Sequence, residues 1–300
     1  MLNCQEAVLD DVPQVGRYVF YSLVSADLDV VRQSLSQLAE RVNGESVLAG
    51  LGLELVQLLG AHVPGLRGFQ ALSGPGVAVP ATPAALCCWL RGEDPGDLLH
   101  LSRDLQHALA PAFRQDQVID AFRYGRGPNG YGRDLTGYED GTENPVDEAA
   151  VAAALLQGAG PGLDGSSFLS IQQWLHDLDA FEAMSPVQQD DTVGRRRVDN
   201  EELDDAPESA HVKRTAQESF APEAFMVRRS MPWVQGAQAG LVFVAFGHSL
   251  DAFERIMRRM AGLEDGVVDA IFSISRPITG ANFWCPPVLD GRLDLRQIGL

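Results

Sequence analysis

A strand–helix–strand pattern occurs twice in the chain, at an offset of about 155 residues. In the first copy, an apolar run over 84–91 is followed by leucines at spacings of three and four and then by a strand near 118–124. In the second copy, the nearly all-apolar run 240–247 precedes a helical pattern that ends at Gly262, and 270–275 supplies the last clear strand. One interpretation of this repetition is a duplicated ferredoxin-like βαββαβ motif, an α+β fold.

Other segments agree with that architecture. Residues 15–24 predict a strand that leads into an amphipathic helix, and 168–175 predict a strand that opens the second half. The region 125–165 is rich in glycine and proline and reads as the connection between the halves. We therefore expect a first half over 1–145, including the loop described below, and a second half over 146–300.

The balance of charge limits the partners of the chain. It has 23 basic and 41 acidic residues and a formal net charge of −18 at pH 7, which opposes binding to nucleic acid or to an anionic membrane. We see neither the apolar core of a secretory signal nor the roughly 20 apolar residues of a membrane span, and we expect a cytoplasmic protein. The four cysteines form no Cys-x-x-Cys motif, and we expect buried or inert thiols at Cys4, Cys87, Cys88 and Cys285.

The segment 137–145 reads Gly-Tyr-Glu-Asp-Gly-Thr-Glu-Asn-Pro. Asp140 lies between Gly137 and Gly141, and glycine backbone can approach a flat ligand closely because no Cβ intervenes and positive φ is free. The segment therefore suits an acid held over a cofactor. The alternative is an ordinary Asp-Gly turn at the surface, which such dipeptides favour.

Two later segments extend the pattern. Ser-Ala-His-Val-Lys-Arg contains His211, and Phe-Met-Val-Arg-Arg-Ser-Met-Pro contains Arg228. Together with Gly-x-x-Asp-Gly, in this order, they resemble the dye-decolorising (DyP-type) haem peroxidases, and most closely the bacterial intracellular branch, in which Thr-Glu-Asn-Pro follows the loop. The resemblance is close over most of 130–287 and holds only in outline over the first hundred residues. Further agreement lies in 192–195, 200–203, 240–246 and 269–272.

The resemblance implies a fold and a cofactor. It implies two ferredoxin-like halves whose antiparallel sheets pack together, with haem b bound mainly by the second half. His211 would then be the proximal iron ligand, since a neutral imidazole can supply that nitrogen, and Asp269 would accept the hydrogen of its Nδ1. The alternative for Asp269 is a surface carboxylate before a strand. The other histidines lack this context, and we expect a solvated or capping role for His176 and others.

Three further residues take their expected roles from the same resemblance. Arg195 follows a Val-Gly pair and would meet a haem propionate, which a guanidinium pairs bidentately. Glu143 and Asn144 would shape the edge of the haem, although turn formation and capping explain them equally well.

On the distal side, peroxide activation needs a group that moves a proton and a group that stabilises charge. Asp140 is the candidate proton shuttle and Arg228 the candidate cation. If the two lie close together, we expect Arg228 to favour ionised Asp140. Arg229 is the alternative to Arg228, because neighbouring residues of a strand point to opposite faces. Ser230 lies where relatives have a small polar side chain and ranks third.

The predicted function is a haem b peroxidase that uses hydrogen peroxide to oxidise organic donors, such as dyes or phenolics, by one-electron steps. The alternative is a haem or porphyrin carrier, or an iron-releasing haem-handling protein, on the same fold. A distal acid with a distal cation favours the enzyme, because a carrier has no need to cleave an O–O bond. The resemblance also implies a homo-oligomer. The tail 293–300 is loosely similar to tails that target an encapsulating shell, which makes a shell protein a further possible partner.

Overall fold

The structure is a computed structural model that describes residues 3–300. Its strands are β1 (Val15–Leu23), β2 (Val47–Gly52), β3 (Leu72–Gly74), β4 (Val77–Val79), β5 (Leu86–Gly92), β6 (Phe113–Phe122), β7 (Ser167–His176), β8 (Val227–Arg228), β9 (Met231–Gln235), β10 (Gln238–Gly247), β11 (Ser275–Pro277), β12 (Ala281–Cys285), β13 (Val288–Leu289) and β14 (Arg292–Leu293). Its α-helices are α1 (Leu28–Ala39), α2 (Leu53–Leu58), α3 (Pro95–Leu109), α4 (Asp147–Ala154), α5 (Leu178–Glu182), α6 (Pro186–Val193), α7 (His211–Thr215) and α8 (Asp251–Met260). Short 3₁₀ helices lie at Glu6–Val8, Gln217–Ser219, Ala270–Ser273 and Arg296–Ile298.

The two long helices of the first half begin at side-chain caps. Asp27 accepts hydrogen bonds from the first backbone N–H groups of α1, and Asp94 does the same for α3, whose first residue is Pro95. A carboxylate at this position satisfies N–H groups that have no partner within the helix. Both helices bury mainly apolar residues at spacings of three and four, so each presents one apolar side to a sheet.

Ten of the strands form two antiparallel sheets that meet at their edges, while β3 pairs with β4 and β13 with β14 in separate two-stranded sheets. In the first sheet the order is β2, β5, β1, β6, which is the ferredoxin-like order of a βαββαβ unit. The second sheet has the same order: β12 and β11 share one edge of β7, β10 follows, and β9 and β8 share its far edge. Short pairings of β12 with β2 and of β6 with β9 join the sheets into a closed ring. The predicted duplication of a ferredoxin-like motif is thus confirmed.

A buried core lies between the two sheets. Alternate residues of the strands point into it, for example Tyr18 and Phe20 from β1, and Val242 and Val244 from β10. Because side chains alternate across a strand, the other residues of these strands point outward. The outward residues of the first sheet pack on α1 and α3, and those of the second sheet pack on α8. Each sheet is therefore covered on both sides.

The second half departs from the sequence prediction at one place. The predicted strand 270–275 is a 3₁₀ helix over Ala270–Ser273 followed by β11. The cause is local, because the Asp269 carboxylate accepts a hydrogen bond from the backbone N–H of Ile271 and turns the chain. The strand that continues the sheet is β12, which the sequence prediction missed.

Two other predictions can be compared with the structure. All four cysteines are buried free thiols, as expected, and burial raises the pKa of Cys4 to about 11 and that of Cys88 to about 12. Within residues 3–300, no helix has the length and apolar character that crossing a membrane requires.

Candidate active site

A cavity with mainly apolar walls lies between the outer face of the second sheet and α8, and we call it the inner cavity. Trp174 of β7 and Phe243 of β10 line it from the sheet, and Phe253 and Met257 line it from α8. The polar groups that reach this space include His211, Asp140 and Arg228. Apolar walls with a few convergent polar groups are typical of a cofactor site.

His211 is the first residue of α7, and its two ring nitrogens differ in their surroundings. Nδ1 lies 2.8 Å from a carboxylate oxygen of Asp269, whose side chain is fully buried. A carboxylate at this distance accepts the Nδ1 hydrogen, which leaves the lone pair on Nε2 in the cavity. Burial alone would lower the pKa of His211, but the charge of Asp269 and its hydrogen bond outweigh burial and raise it. The ring is thus fixed in direction and made more basic.

A second ion pair holds the short helix that carries His211. Arg214 of α7 donates two hydrogen bonds of 2.8 Å to the two carboxylate oxygens of Asp265 and a third to the carbonyl of Arg259. The guanidinium is 5% exposed. A helix of five residues has little stability of its own, so this pair anchors α7 to the end of α8.

Asp140 reaches the inner cavity from the loop that connects the halves. Gly137 and Gly141 have φ of +91° and +84°, so both glycines adopt the left-handed backbone that the motif predicted. The backbone N–H of Asp140 donates to the carbonyl of Gly132. Burial raises the pKa of Asp140, and the nearby charge of Arg228 offsets only part of that increase. Arg228 thus favours the ionised acid, as expected, but desolvation is the larger effect and the net shift of the pKa is upward.

Arg228 lies in β8, beside the loop of Asp140. The Asn144 side chain joins the two segments: its Oδ1 accepts the backbone N–H of Arg228 at 2.8 Å, and its Nδ2 donates to the carbonyl of Arg228 at 3.0 Å. Within residues 3–300 the Nε of Arg228 is buried without a hydrogen-bond partner. Arg228 lines the inner cavity, whereas its alternative Arg229 does not. Asn144 therefore positions Arg228 through its backbone.

A second cavity, which we call the outer cavity, opens on the other side of the Asp140 loop. Its volume is about 610 Å³, and Asp140 and Arg228 line both cavities. Ser230 and Arg229 line only the outer one, and the Ser230 hydroxyl accepts the backbone N–H of Val244. Asn144 lines the outer cavity as well.

The mostly buried side chain of Arg195 pairs with the exposed Glu143, and neither residue lines the inner cavity. Arg195 donates to Glu143 at 2.7 Å and to Glu202 at 3.0 Å, and its other terminal nitrogen donates to the carbonyl of Asn200. Gln217, which does line the inner cavity, donates to the carbonyl of Glu143. The Arg195 cluster is thus next to the inner cavity.

The sequence prediction missed a polar cluster on the wall of the inner cavity. His176 is not solvated: its Nδ1 lies 2.6 Å from Ser275 Oγ, its Nε2 lies 3.0 Å from Asp134, and its side chain is 6% exposed. Burial raises the pKa of Asp134, but the hydrogen bond and charge of His176 outweigh burial, so the net shift is downward. In the sequence, Asp134 lies in the segment Arg-Asp-Leu-Thr-Gly, and His176 lies 42 residues later. Nothing local in the sequence links the two residues.

Comparison with known proteins identifies the family. The family model described as Dyp-type peroxidase, C-terminal, matches residues 131–290, which is more than half of the chain. A dye-decolorizing peroxidase of Mycolicibacterium paratuberculosis is 30% identical over 251 residues, a region that spans 81% of this chain and 70% of the relative. The chain belongs to the DyP-type peroxidase family.

Other DyP-type peroxidases extend the comparison. The dye-decolorizing peroxidase of Rhodococcus erythropolis is 28% identical over 88% of this chain and 78% of its own length. The solved structure of DyPB from Rhodococcus jostii RHA1 is 25% identical, with a TM-score of 0.83 over 96% of this chain and 97% of that one. A variant of that protein in complex with heme is 26% identical, with a TM-score of 0.81 over the same shares. The chain is thus an enzyme of the DyP-type peroxidase class.

DyP-type peroxidases are haem enzymes, and the inner cavity has the donor set that haem needs. His211 offers one unpartnered imidazole nitrogen inside apolar walls, and its other nitrogen is held by a buried carboxylate. Asp140 and Arg228 line the same cavity. The residues present therefore fit a histidine-ligated haem.

Proposed function

We propose that this DyP-type peroxidase binds haem b through His211 and acts on hydrogen peroxide with Asp140 and Arg228. One observation carries the proposal: a carboxylate-bound imidazole, a buried acid and an unpaired guanidinium line one apolar cavity. When bound, haem supplies an iron centre that is oxidised by hydrogen peroxide and then accepts electrons singly from organic donors.

His211 would hold the haem iron through Nε2, and Asp269 sets the properties of the imidazole. The hydrogen bond from Nδ1 to Asp269 keeps the lone pair on Nε2 and prevents the ring from turning. It also increases the basicity of the imidazole, because the proton on Nδ1 is shared with a fully buried carboxylate. A more basic imidazole would favour the oxidised state of an iron that His211 holds.

Asp140 moves the proton that O–O cleavage requires. In its ionised form it accepts a proton from one oxygen of hydrogen peroxide, and it then returns that proton to the other oxygen, which leaves as water. Arg228 stabilises the negative charge that develops during this transfer, since its Nε has no hydrogen-bond partner among residues 3–300 and is free to donate. Burial raises the pKa of Asp140, so the carboxyl group holds the accepted proton more firmly between the two steps.

The remaining sequence-predicted residues support the edge of the site in this proposal. Arg195 would hold a haem propionate, and its present pairing with two carboxylates is the type of contact that a propionate offers. Glu143 competes for the same guanidinium, and Asn144 orients Arg228. Ser230 would hold a water on the side of the outer cavity.

The partners of the enzyme are hydrogen peroxide and an organic electron donor, which the family implies. We propose phenolic compounds or dyes as donors and a homo-oligomeric assembly. A cytoplasmic location and the association with an encapsulating shell remain predictions from the sequence.

An absorption experiment tests the proposed function. The chain is reconstituted with haem, and its spectrum is recorded before and after one equivalent of hydrogen peroxide, followed by a phenolic donor. We expect a change in the haem bands with peroxide and a return to the starting spectrum as the donor is oxidised. An unchanged spectrum after peroxide would favour the carrier instead.

A further inference from the structure

The outer cavity is distinguished by its basic side chains. In a protein of net charge −18, it is lined by Arg123, Arg126, Arg133, Arg228 and Arg229. Three carboxylates also line it, so the cationic side chains are in excess. These carboxylates are Asp11, Asp140 and Asp147. A concave surface with an excess of one charge concentrates ligands of the opposite charge.

These arginines have no carboxylate partners among residues 3–300, in contrast to ten other arginines that form ion pairs. The side chain of Arg123 donates only to the carbonyl of Val12, and that of Arg229, a residue that is 9% exposed, donates only to the carbonyls of Leu9 and Arg228. The Nε of Arg133 is buried without a partner. Guanidinium groups left unpaired in a shared cavity favour binding of an anion.

The basic wall is attached to the loop that carries Asp140. Residues 124–133 form a hairpin in which Tyr124 pairs with Arg133, and the carbonyl of Gly132 accepts the backbone N–H of Asp140 at 3.0 Å. Asp140 also lines the inner cavity. A ligand in the outer cavity would therefore lie directly against the loop that separates the two cavities.

The outer cavity also has aromatic and apolar walls. Tyr124 and Tyr131 are each 44% exposed, and Phe122, Met231 and Pro232 line the remainder. A small inorganic anion would contact only the arginines. An aromatic ring that carries a carboxylate would contact both kinds of wall, since tyrosine faces stack on planar rings.

We propose that the outer cavity binds an anionic phenolic electron donor, held by its carboxylate on Arg126 and Arg133 and by its ring between the tyrosines. The inference rests on the proposed peroxidase function and names the donor class. Two phenols each lose one electron and one proton and become phenoxyl radicals. One hydrogen peroxide takes both electrons and both protons and becomes two water molecules.

Two matched donors test this inference: syringate, which carries a carboxylate, and 2,6-dimethoxyphenol, which has the same ring without it. We expect wild-type kcat/KM to favour syringate at low ionic strength and the preference to shrink as salt is added. In Arg126→Gln/Arg133→Gln the ratio of the two kcat/KM values should fall about tenfold or more. Arg103→Gln, an exposed position on α3, removes a charge elsewhere and should leave the ratio unchanged.

Binding of benzoate to the haem-loaded protein, measured by calorimetry without hydrogen peroxide, gives a readout that does not depend on turnover. We expect the double variant to lose this binding and Arg103→Gln to keep it. The inference is overturned if the donor ratio and benzoate binding are unaffected in the double variant, if Arg103→Gln shifts them equally, or if the double variant loses haem. Failure of the wild type to oxidise either donor would instead contradict the proposed function. Benzoate binding would then still test whether the outer cavity binds an aromatic carboxylate.

Discussion

At the scale of single residues, His211 and His176 line the same cavity with different bonding. His211 has one nitrogen on Asp269 and the other free, whereas both nitrogens of His176 are bonded, to Ser275 and to Asp134. Only His211 can give a nitrogen to a metal without breaking a hydrogen bond. Substitution of each histidine in turn therefore tests which of the two binds the iron.

We expect His211→Ala to lose haem or to bind it with an altered ligand field, because the axial nitrogen is gone. His176→Ala should retain the wild-type band positions. The measurement is the Soret spectrum of each reconstituted variant. A wild-type spectrum and full activity in His211→Ala would remove His211 from the site.

Asp269 and Asp134 each form a hydrogen bond with one histidine of the inner cavity, Asp269 with His211 and Asp134 with His176. Asp269→Asn keeps the size of the side chain but removes the charge that polarises His211, so the iron reduction potential should rise. Asp134→Asn removes a charge without touching His211 and should shift the potential less. Spectroelectrochemistry measures the reduction potential of each variant. Equal shifts in the two variants would mean that Asp269 does not act through His211.

At the scale of elements, α7 depends on its ion pair with Asp265. The pair of hydrogen bonds from Arg214 and the resulting charge interaction lower the pKa of Asp265 to about 2. A carboxylate whose folded pKa is depressed adds stability above its ordinary pKa, and this stability is lost as pH falls toward the folded value.

Asp265→Asn should therefore lower the melting temperature at pH 7 and weaken haem retention, since α7 carries His211. The difference from wild type should shrink as pH falls from the ordinary value of 3.8 to about 2. Glu264→Gln, which removes only a surface bond to Arg259, is the control. A difference in melting temperature that stays constant from pH 7 to pH 2 would exclude this ion pair as its source.

The elements differ in how far the sequence predicts them. The strands β7 and β10 were predictable because each is a short segment dense in apolar residues, and the helix α8 because its apolar residues recur at spacings of three and four. The segment 270–273 is apolar as well, but a single side chain, Asp269, turns it into a 3₁₀ helix. Periodicity carries no information about such a cap.

The same limit applies to the site. Asp140, His211 and Arg228 were found because each lies in a short motif whose order is informative. The contact between His176 and Asp134 was not predicted, because Asp134 lies in the first predicted half and His176 in the second. The two residues meet only after folding. Arg123, Arg126 and Arg133 of the outer cavity were missed for the same reason: they come from the end of β6 and the hairpin after it, and they meet Arg228 and Arg229 only after folding.

At the scale of the whole molecule, the two halves share their cores. The inner faces of both sheets pack on each other, and Leu293, Leu295 and Ile298 from the end of the chain pack into the core of the first half. Neither sheet has an inner face that is covered by its own half alone. The two predicted halves are thus expected to depend on each other for stability.

We expect a fragment of residues 1–145 to lack cooperative unfolding, because its inner sheet face and the site for the C-terminal residues would be exposed to water. The haem-free full chain should unfold in one transition. Urea titrations followed by circular dichroism make the comparison. A fragment that unfolds cooperatively, with a midpoint equal to that of the full chain, would show that the halves are independent.

The central claim is that Asp140 and Arg228 act together on hydrogen peroxide beside a haem held by His211. Its most direct test is the rate at which the haem-loaded protein reacts with one equivalent of hydrogen peroxide, followed by stopped-flow absorption from pH 4 to pH 8. Because burial raises the pKa of Asp140, the wild-type rate should fall with decreasing pH sooner than an ordinary aspartate would require. Asp140→Asn should lose this pH dependence and about 10²–10⁴-fold in rate, and Arg228→Leu about 10²–10³-fold. Wild-type rates in both variants across the whole pH range would contradict the account.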